Sequence, residues 1–141
     1  MSQAAGTKLA TRTMTAHEIS HAVISAALKV HSSLGPGLLE SAYEACLAHE
    51  LRKADLYVET QVGLPVVYDG IKLDLGYRID MLVNDLVVLE LKSVEEISRV
   101  HVAQVLSYMK LSHKQLGLII NFNVLRLKDG IKRLVEGTGW K

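Results

Sequence analysis

Two stretches in the middle of the chain carry charges among residues that otherwise belong in a core. In Tyr77-Arg78-Ile79-Asp80-Met81-Leu82-Val83 an aspartate interrupts an apolar run. In Leu86-Val87-Val88-Leu89-Glu90-Leu91-Lys92 a glutamate and a lysine stand two apart. Strand side chains alternate between faces, so Glu90 and Lys92 share one. The short Asn84-Asp85 turn makes the two stretches antiparallel neighbours and brings Asp80 near Glu90. Unpaired charges in such strands would cost several kcal/mol to bury, so partners are required. Two carboxylates and a lysine, with the Leu91 carbonyl as a further oxygen, suit a hard cation such as Mg2+ or Mn2+. There a metal would acidify a bound water and offset phosphoryl charge, while Lys92 orients the water: the chemistry of phosphodiester hydrolysis. The same residues would also serve as a salt bridge on a half-exposed strand.

A second pattern competes. His17-Glu18-Ile19-Ser20-His21 has the His-Glu-x-x-His spacing that places two imidazoles on one helical face with a glutamate between them, as in zinc peptidases. Glu40 stands downstream at a spacing that suits a third ligand. Only sixteen residues precede His17, however, and the strands follow this helix rather than precede it. The peptidase reading also leaves Asp80, Glu90 and Lys92 without a role, so it stands as a remote alternative.

The periodicity shows what must hold these residues. Residues 14–33 have helical spacing, with Ile19, Val23, Ala26, Ala27 and Val30 on one side and His17, His21, Ile24 and Leu28 on the other. That mixed second face calls for cover from another element or a second subunit. Leu34-Gly35-Pro36-Gly37 breaks the pattern and a second helix is expected over about 37–54, with Glu40 at the edge of its apolar stripe. From 57 the period becomes two: an extended stretch 57–68 interrupted at Gly63 and Pro65, a turn at Asp69-Gly70, and strands 73–83 and 86–92. Residues 96–113 return to helical spacing, 116–122 suits a buried strand, and 124–135 reads as a hairpin around Asp129-Gly130. The order α-α-β-β-β-α-β-β gives an α/β (α+β) domain: a mixed β-sheet flanked by helices, spanning 14–136 between tails 1–13 and 137–141.

Composition agrees with one domain. The chain has 141 residues, 49% hydrophobic and 22% charged, with a formal net charge of +1. That total provides no strongly basic surface, although a local basic groove is compatible with it. The single cysteine, Cys46, excludes an intramolecular disulfide framework and a multi-cysteine zinc site, and it sits where a small core residue is expected. No basic-then-apolar leader opens the chain and no apolar run is long enough for a bilayer, so a cytoplasmic protein with no membrane partner is expected.

With these residues in place, the chain resembles the PD-(D/E)xK nuclease superfamily. Asp80 followed by Glu90-Leu91-Lys92 carries the likeness, and Gln104-Val105-Leu106-Ser107-Tyr108 is similar to the Q-x-x-x-Y motif of its RecB-like branch. Gly37-Leu38-Leu39-Glu40-Ser41-Ala42-Tyr43 resembles the motif of the small GxxExxY proteins, with further agreement at Gln61 and Asn121-Phe122. The likeness covers roughly residues 17–136; one departure is Arg78-Ile79 where a proline often precedes the aspartate. The resemblance implies a restriction-endonuclease-like fold and a Mg2+- or Mn2+-dependent nuclease acting on DNA, or RNA. It implies Asp80 and Glu90 as direct ligands aided by Glu40 and the Leu91 carbonyl, Lys92 as catalytic lysine, and Gln104 and Tyr108 facing the site or the nucleic-acid backbone. A second reading keeps the fold as a catalytically silent module that binds nucleic acid or protein.

Other residues carry lesser expectations. Arg126, Lys128, Lys132 and Arg133 form a solvated face that could also grip phosphates, Arg133 foremost. His31, His49, His101 and His113 suit solvated or capping positions, with His101 kept as a possible substrate contact. Tyr43 suits the core, with a hydroxyl that could reach the neighbourhood of Glu40. The mixed face of the first helix and the small size suggest a homodimer, and Trp140 suits a tail or an interface.

Overall fold

The computed structural model describes residues 13–136. The expected tails therefore lie outside the described residues apart from Thr13, and so does Trp140.

Helix α1 (Ala16–Leu34) starts on a capping box: the Thr15 hydroxyl accepts the Glu18 N–H, and the Glu18 carboxylate accepts the Thr15 N–H. This arrangement satisfies two of the donors that a helix start otherwise leaves bare. Helix α2 (Glu40–Lys53) begins three residues later than the sequence pattern suggests, with Glu40 in its first turn, where the helix dipole favours an acid. Strands β1 (Val58–Gly63), β4 (Arg78–Val83), β5 (Val87–Lys92), β6 (Leu116–Asn121) and β7 (Ile131–Val135) form one sheet in the order β1-β4-β5-β6-β7. Only β5 and β6 pair in parallel, joined through helix α3 (Arg99–Ser112); the other pairs are antiparallel. The expected mixed sheet with flanking helices is what forms.

The sheet is covered on both faces, which explains its near-continuous apolar strands. On one face Ile19, Val23 and Ala27 of α1 and Tyr43, Leu47 and Leu51 of α2 pack on Met81, Leu89, Leu118 and Ile120. On the other, Val105 and Met109 of α3 pack on Leu82, Val88, Ile119 and Leu134. Each fully buried aliphatic side chain contributes about 2 kcal/mol. Contact between α3 and the sheet depends on Gly117, where a Cβ would lie 2.7 Å from the Met109 sulfur. Glu90 and Lys92 alternate with Leu89 and Leu91 of the α1–α2 core, and so belong to the α3 side of the sheet.

Three expectations need correction. The strand expected over 73–83 is two: β3 (Ile71–Leu73) pairs only with β2 (Val66–Tyr68) in a separate hairpin, and residues 74–77 break before β4. Turn chemistry causes the break, with the Asp74 carboxylate accepting the Gly76 N–H at 3.3 Å. Five strands therefore precede α3, not three. The segment 124–135 is not a hairpin around Asp129-Gly130: Leu127–Gly130 is a 3-10 turn with Leu127 buried, and β7 pairs back onto β6 instead. A buried leucine anchors the loop inward, which no local turn motif reveals. His31, expected to be solvated or capping, is buried at 8% exposure with Nε2 bonded to the Val124 carbonyl at 2.8 Å. Among the described residues no helix is long and apolar enough to cross a membrane.

Candidate active site

The β4–β5 ladder pairs Val83 with Val87, Leu82 with Val88 and Met81 with Leu89. One step further, that register sets Asp80 against Glu90. Asp80 here acts as a ladder acceptor: its Oδ2 takes the Leu91 N–H at 2.8 Å. Glu90 is buried at 7% exposure in the α3-side face, and its Oε2 lies 3.5 Å from the Lys92 ammonium. Its other oxygen, Oε1, is buried and has no hydrogen-bond partner among the described residues. Native proteins seldom leave such an atom bare, because it costs about 1–3 kcal/mol or more.

The electrostatics agree with the geometry. Burial, and then the Asp80 charge, push the Glu90 carboxyl from 4.5 up to about 7, against the pull of Lys92. Burial also raises Asp80, opposed by the Leu91 N–H, Gln61 and Lys92. Glu40 adds to the negative field at both. One lysine faces more carboxylate charge than it can neutralise, so the site lacks positive charge. A hard divalent cation fits that deficit and would satisfy the bare oxygen.

Glu40 reaches this end of the sheet from the other layer, and a chain of polar contacts places it. The sharp turn before α2 uses left-handed backbone at Gly35 and Gly37, with φ of 71° and 98°. The Tyr43 hydroxyl ties that turn together, donating to the Gly35 carbonyl at 2.6 Å and accepting the Leu38 N–H at 3.1 Å. The Tyr43 ring is fully buried and stacks on Phe122 at 4.3 Å. Glu40 Oε2 then accepts the Ser93 N–H at 3.1 Å, while the Ser93 hydroxyl donates to the Leu38 carbonyl at 2.7 Å. Glu40 itself is exposed and lines an open cleft of about 610 Å³ with Ser41, Ser93 and Asn123. It thus stands exposed in this cleft rather than along the core boundary.

The backbone after Lys92 is held from β6. Asn121, opposite Lys92 in the parallel register and only 2% exposed, uses its side chain to accept the Val94 N–H at 3.1 Å and donate to the Val94 carbonyl at 2.9 Å. The Phe122 N–H donates to the Lys92 carbonyl at 2.9 Å. From α3, Tyr108 faces the same region: burial raises its pKa, followed by the charge on Glu90, then Tyr77 and Asp80, with a Gln104 side-chain hydrogen bond opposing. Its ring centre lies 6.1 Å from that of Tyr77.

The structure therefore brings Asp80, Glu90, Leu91, Lys92, Glu40, Gln104 and Tyr108 to one end of the sheet. Among the described residues no three His, Cys, Asp or Glu side chains converge as a metal-binding group. Asp80 and Glu90 are near enough for the charge of the first to raise the carboxyl of the second. Arg133 is not brought there: it lies on edge strand β7, its guanidinium 3.3 Å from His17 Nδ1 beside α1. His17 and His21 are exposed and meet edge to face at 4.7 Å, and Glu18 between them is engaged in the helix cap. His101 also caps a helix, its Nδ1 accepting the Ser98 N–H that opens α3. Sequence reading missed Ser93 and Glu44, and took Asn121 and Gln61 only as points of likeness. The adjacency of Ser93 to Lys92 was the available signal for the first; Glu44 offered none.

A family model for the PD-(D/E)XK nuclease superfamily matches residues 17–134. No curated protein and no solved structure gives a match.

Proposed function

The chain belongs to the PD-(D/E)XK nuclease superfamily, and from that premise we propose that it is a Mg2+- or Mn2+-dependent nuclease that hydrolyses phosphodiester bonds in DNA, with RNA as the less favoured substrate. Within the superfamily, Gly37, Glu40 and Tyr43 support a place in the GxxExxY group, and Gln104 and Tyr108 support the Q-x-x-x-Y branch.

The observation that carries the reading is Glu90 Oε1, a buried carboxylate oxygen without a partner beside a second carboxylate. Asp80 and Glu90 would hold the cation, with the Leu91 carbonyl and Glu40 as further oxygens. A bound divalent ion lowers the pKa of water and withdraws charge from a phosphoryl oxygen. The residues around it do the remaining work. Lys92 would orient the nucleophile or stabilise the phosphoryl charge. Glu40, anchored by the Ser93 N–H, faces the open cleft where a strand would enter. Gln104 and Tyr108 present donors from α3 toward the same end. A second copy against the exposed outer side of α1, where Leu28 is 47% exposed, would complete the homodimer suggested by that mixed face.

The test is cleavage of single- and double-stranded DNA and of RNA in Mg2+ or Mn2+, beside Lys92→Ala and Asp80→Ala. Metal-dependent cleavage lost in both variants supports the reading. Equal cleavage by all three proteins, or none under any condition, counts against it. Intact DNA binding without Mn2+ binding would instead assign a silent binding module.

A further inference from the structure

Gln61 stands inside β1, between Thr60, which pairs with Met81, and Val62, which pairs with Ile79. That register sets it opposite Asp80, yet its φ is 52°, in the left-handed region that a non-glycine residue in a strand rarely occupies. No turn needs this conformation, because pairing resumes on both sides. What it accompanies is a side-chain arrangement: Nε2 donates to Glu44 Oε1 at 2.7 Å and lies 3.5 Å from Asp80 Oδ1. The amide orientation is dictated by its neighbours, since an amide oxygen placed there would face two carboxylates. Backbone strain beside a functional group is the pattern expected when a position is kept for what its side chain does.

We infer that Gln61 is a positioning residue for Asp80, held by Glu44 and by its own strained backbone so that its amide steadies Asp80 Oδ1. Asp80 is then gripped from both neighbouring strands: β5 offers the Leu91 N–H to Oδ2, and β1 offers the Gln61 amide to Oδ1. A carboxylate fixed at both oxygens presents one geometry to a cation instead of several, which is how groups behind a ligand set its affinity. Glu44 is a further member of the arrangement, because it is the stronger of the two acceptors and turns the amide toward Asp80. The assignment rests on the proposed metal-dependent reading, but the fixing of Asp80 can be measured without metal.

The test uses Gln61→Asn, which keeps an amide and tolerates left-handed backbone but loses one methylene of reach, and Gln61→Gly, which relieves the strain and removes the amide. Two quantities are read in the folded full-length protein. The first, without metal, is amide exchange at Leu91 relative to Leu89, whose carbonyl and N–H belong to the paired part of the strand. The second is Mn2+ affinity by titration calorimetry. Both variants are expected to exchange Leu91 about tenfold faster while denaturant midpoints stay at or above wild type, and to bind Mn2+ about tenfold or more weakly. Unchanged Leu91 protection in both variants overturns the inference. Faster Leu91 exchange in a protein whose wild type binds no Mn2+ leaves Gln61 as the residue that fixes Asp80 and removes the metal-dependent reading instead.

Discussion

Tyr43 and Gly35 are joined by a 2.6 Å hydrogen bond that spans the break between the first two helices. Through it, a fully buried ring controls where an exposed carboxylate stands, because the tied turn ends at Glu40. Tyr43→Phe keeps the stack on Phe122 and deletes both contacts of the hydroxyl. The expected loss of stability is about 1–2 kcal/mol, measured by urea unfolding. The proposed nuclease activity should fall further than that loss explains, since the turn that sets Glu40 loosens in a protein that remains folded.

Lys92→Ala separates binding from chemistry. Removing a cation 3.5 Å from Glu90 leaves a more negative pocket, so Mn2+ should bind as tightly as in wild type or more tightly. Cleavage should drop about a hundredfold or more, the scale of losing one group that stabilises developing charge. Calorimetry and single-turnover kinetics on the same preparation would show the split; a parallel loss of metal affinity would assign Lys92 a structural role.

Glu90 makes the metal-free protein sensitive to pH in an unusual direction. A carboxyl raised from 4.5 to about 7 holds its proton in the folded state after the unfolded chain has released it. The unfolded state therefore binds fewer protons across that window, and stability falls as pH rises from 4.5 toward 7. The loss is about 3 kcal/mol at most, and is complete above the folded pKa. Glu90→Gln should flatten this slope, and saturating Mn2+ should reverse it for wild type. Chemical denaturation from pH 4 to pH 8, with and without the ion, would read both effects.

Gly117→Ala tests the seating of α3. The added methyl meets the Met109 sulfur at 2.7 Å, and overpacking of this kind costs about 1–3 kcal/mol, softened by methionine's flexibility. Because Gln104 and Tyr108 ride on the same helix, activity should fall with stability. Gly117→Val should be worse on both scales; a neutral pair of substitutions would show that α3 moves freely on the sheet.

His17→Ala and His21→Ala should leave nuclease activity unchanged and shift stability by less than about 0.5 kcal/mol, as surface substitutions do. Thr15→Ala, which breaks the cap shared with Glu18, should cost about 1 kcal/mol. A loss of nuclease activity in the histidine variants would instead tie this face of α1 to the nucleic-acid site.

Much of the site was legible because strands alternate. Glu90 and Lys92, two apart in an otherwise apolar strand, could share only one face, and the Asn84-Asp85 turn set the register that aligns Asp80 with them. Helical spacing puts Gln104 and Tyr108 on one face of α3, while their link to the site comes from the family resemblance. The scaffold behind them was not. Asn121 gripping Val94 and Ser93 gripping both Leu38 and Glu40 are contacts between elements, and no local period encodes them. The place of Arg133 on β7 beside His17 is equally invisible locally, because it depends on how the sheet closes. The Asp129-Gly130 pair was read as a turn because the tertiary pull of buried Leu127 has no sequence signature.

The Asn121–Val94 clasp makes the far half of the sheet part of the frame around the candidate site. The residues that carry charge are complete by Lys92, yet the backbone after Lys92 is fastened from β6, and β7 closes the sheet beyond it. A nascent chain emerging from the N-terminus presents Glu40, Asp80, Glu90 and Lys92 long before their frame exists, and strand pairing of this separation forms late. The carboxylates are thus expected to take up their final arrangement only once β6 has paired with β5.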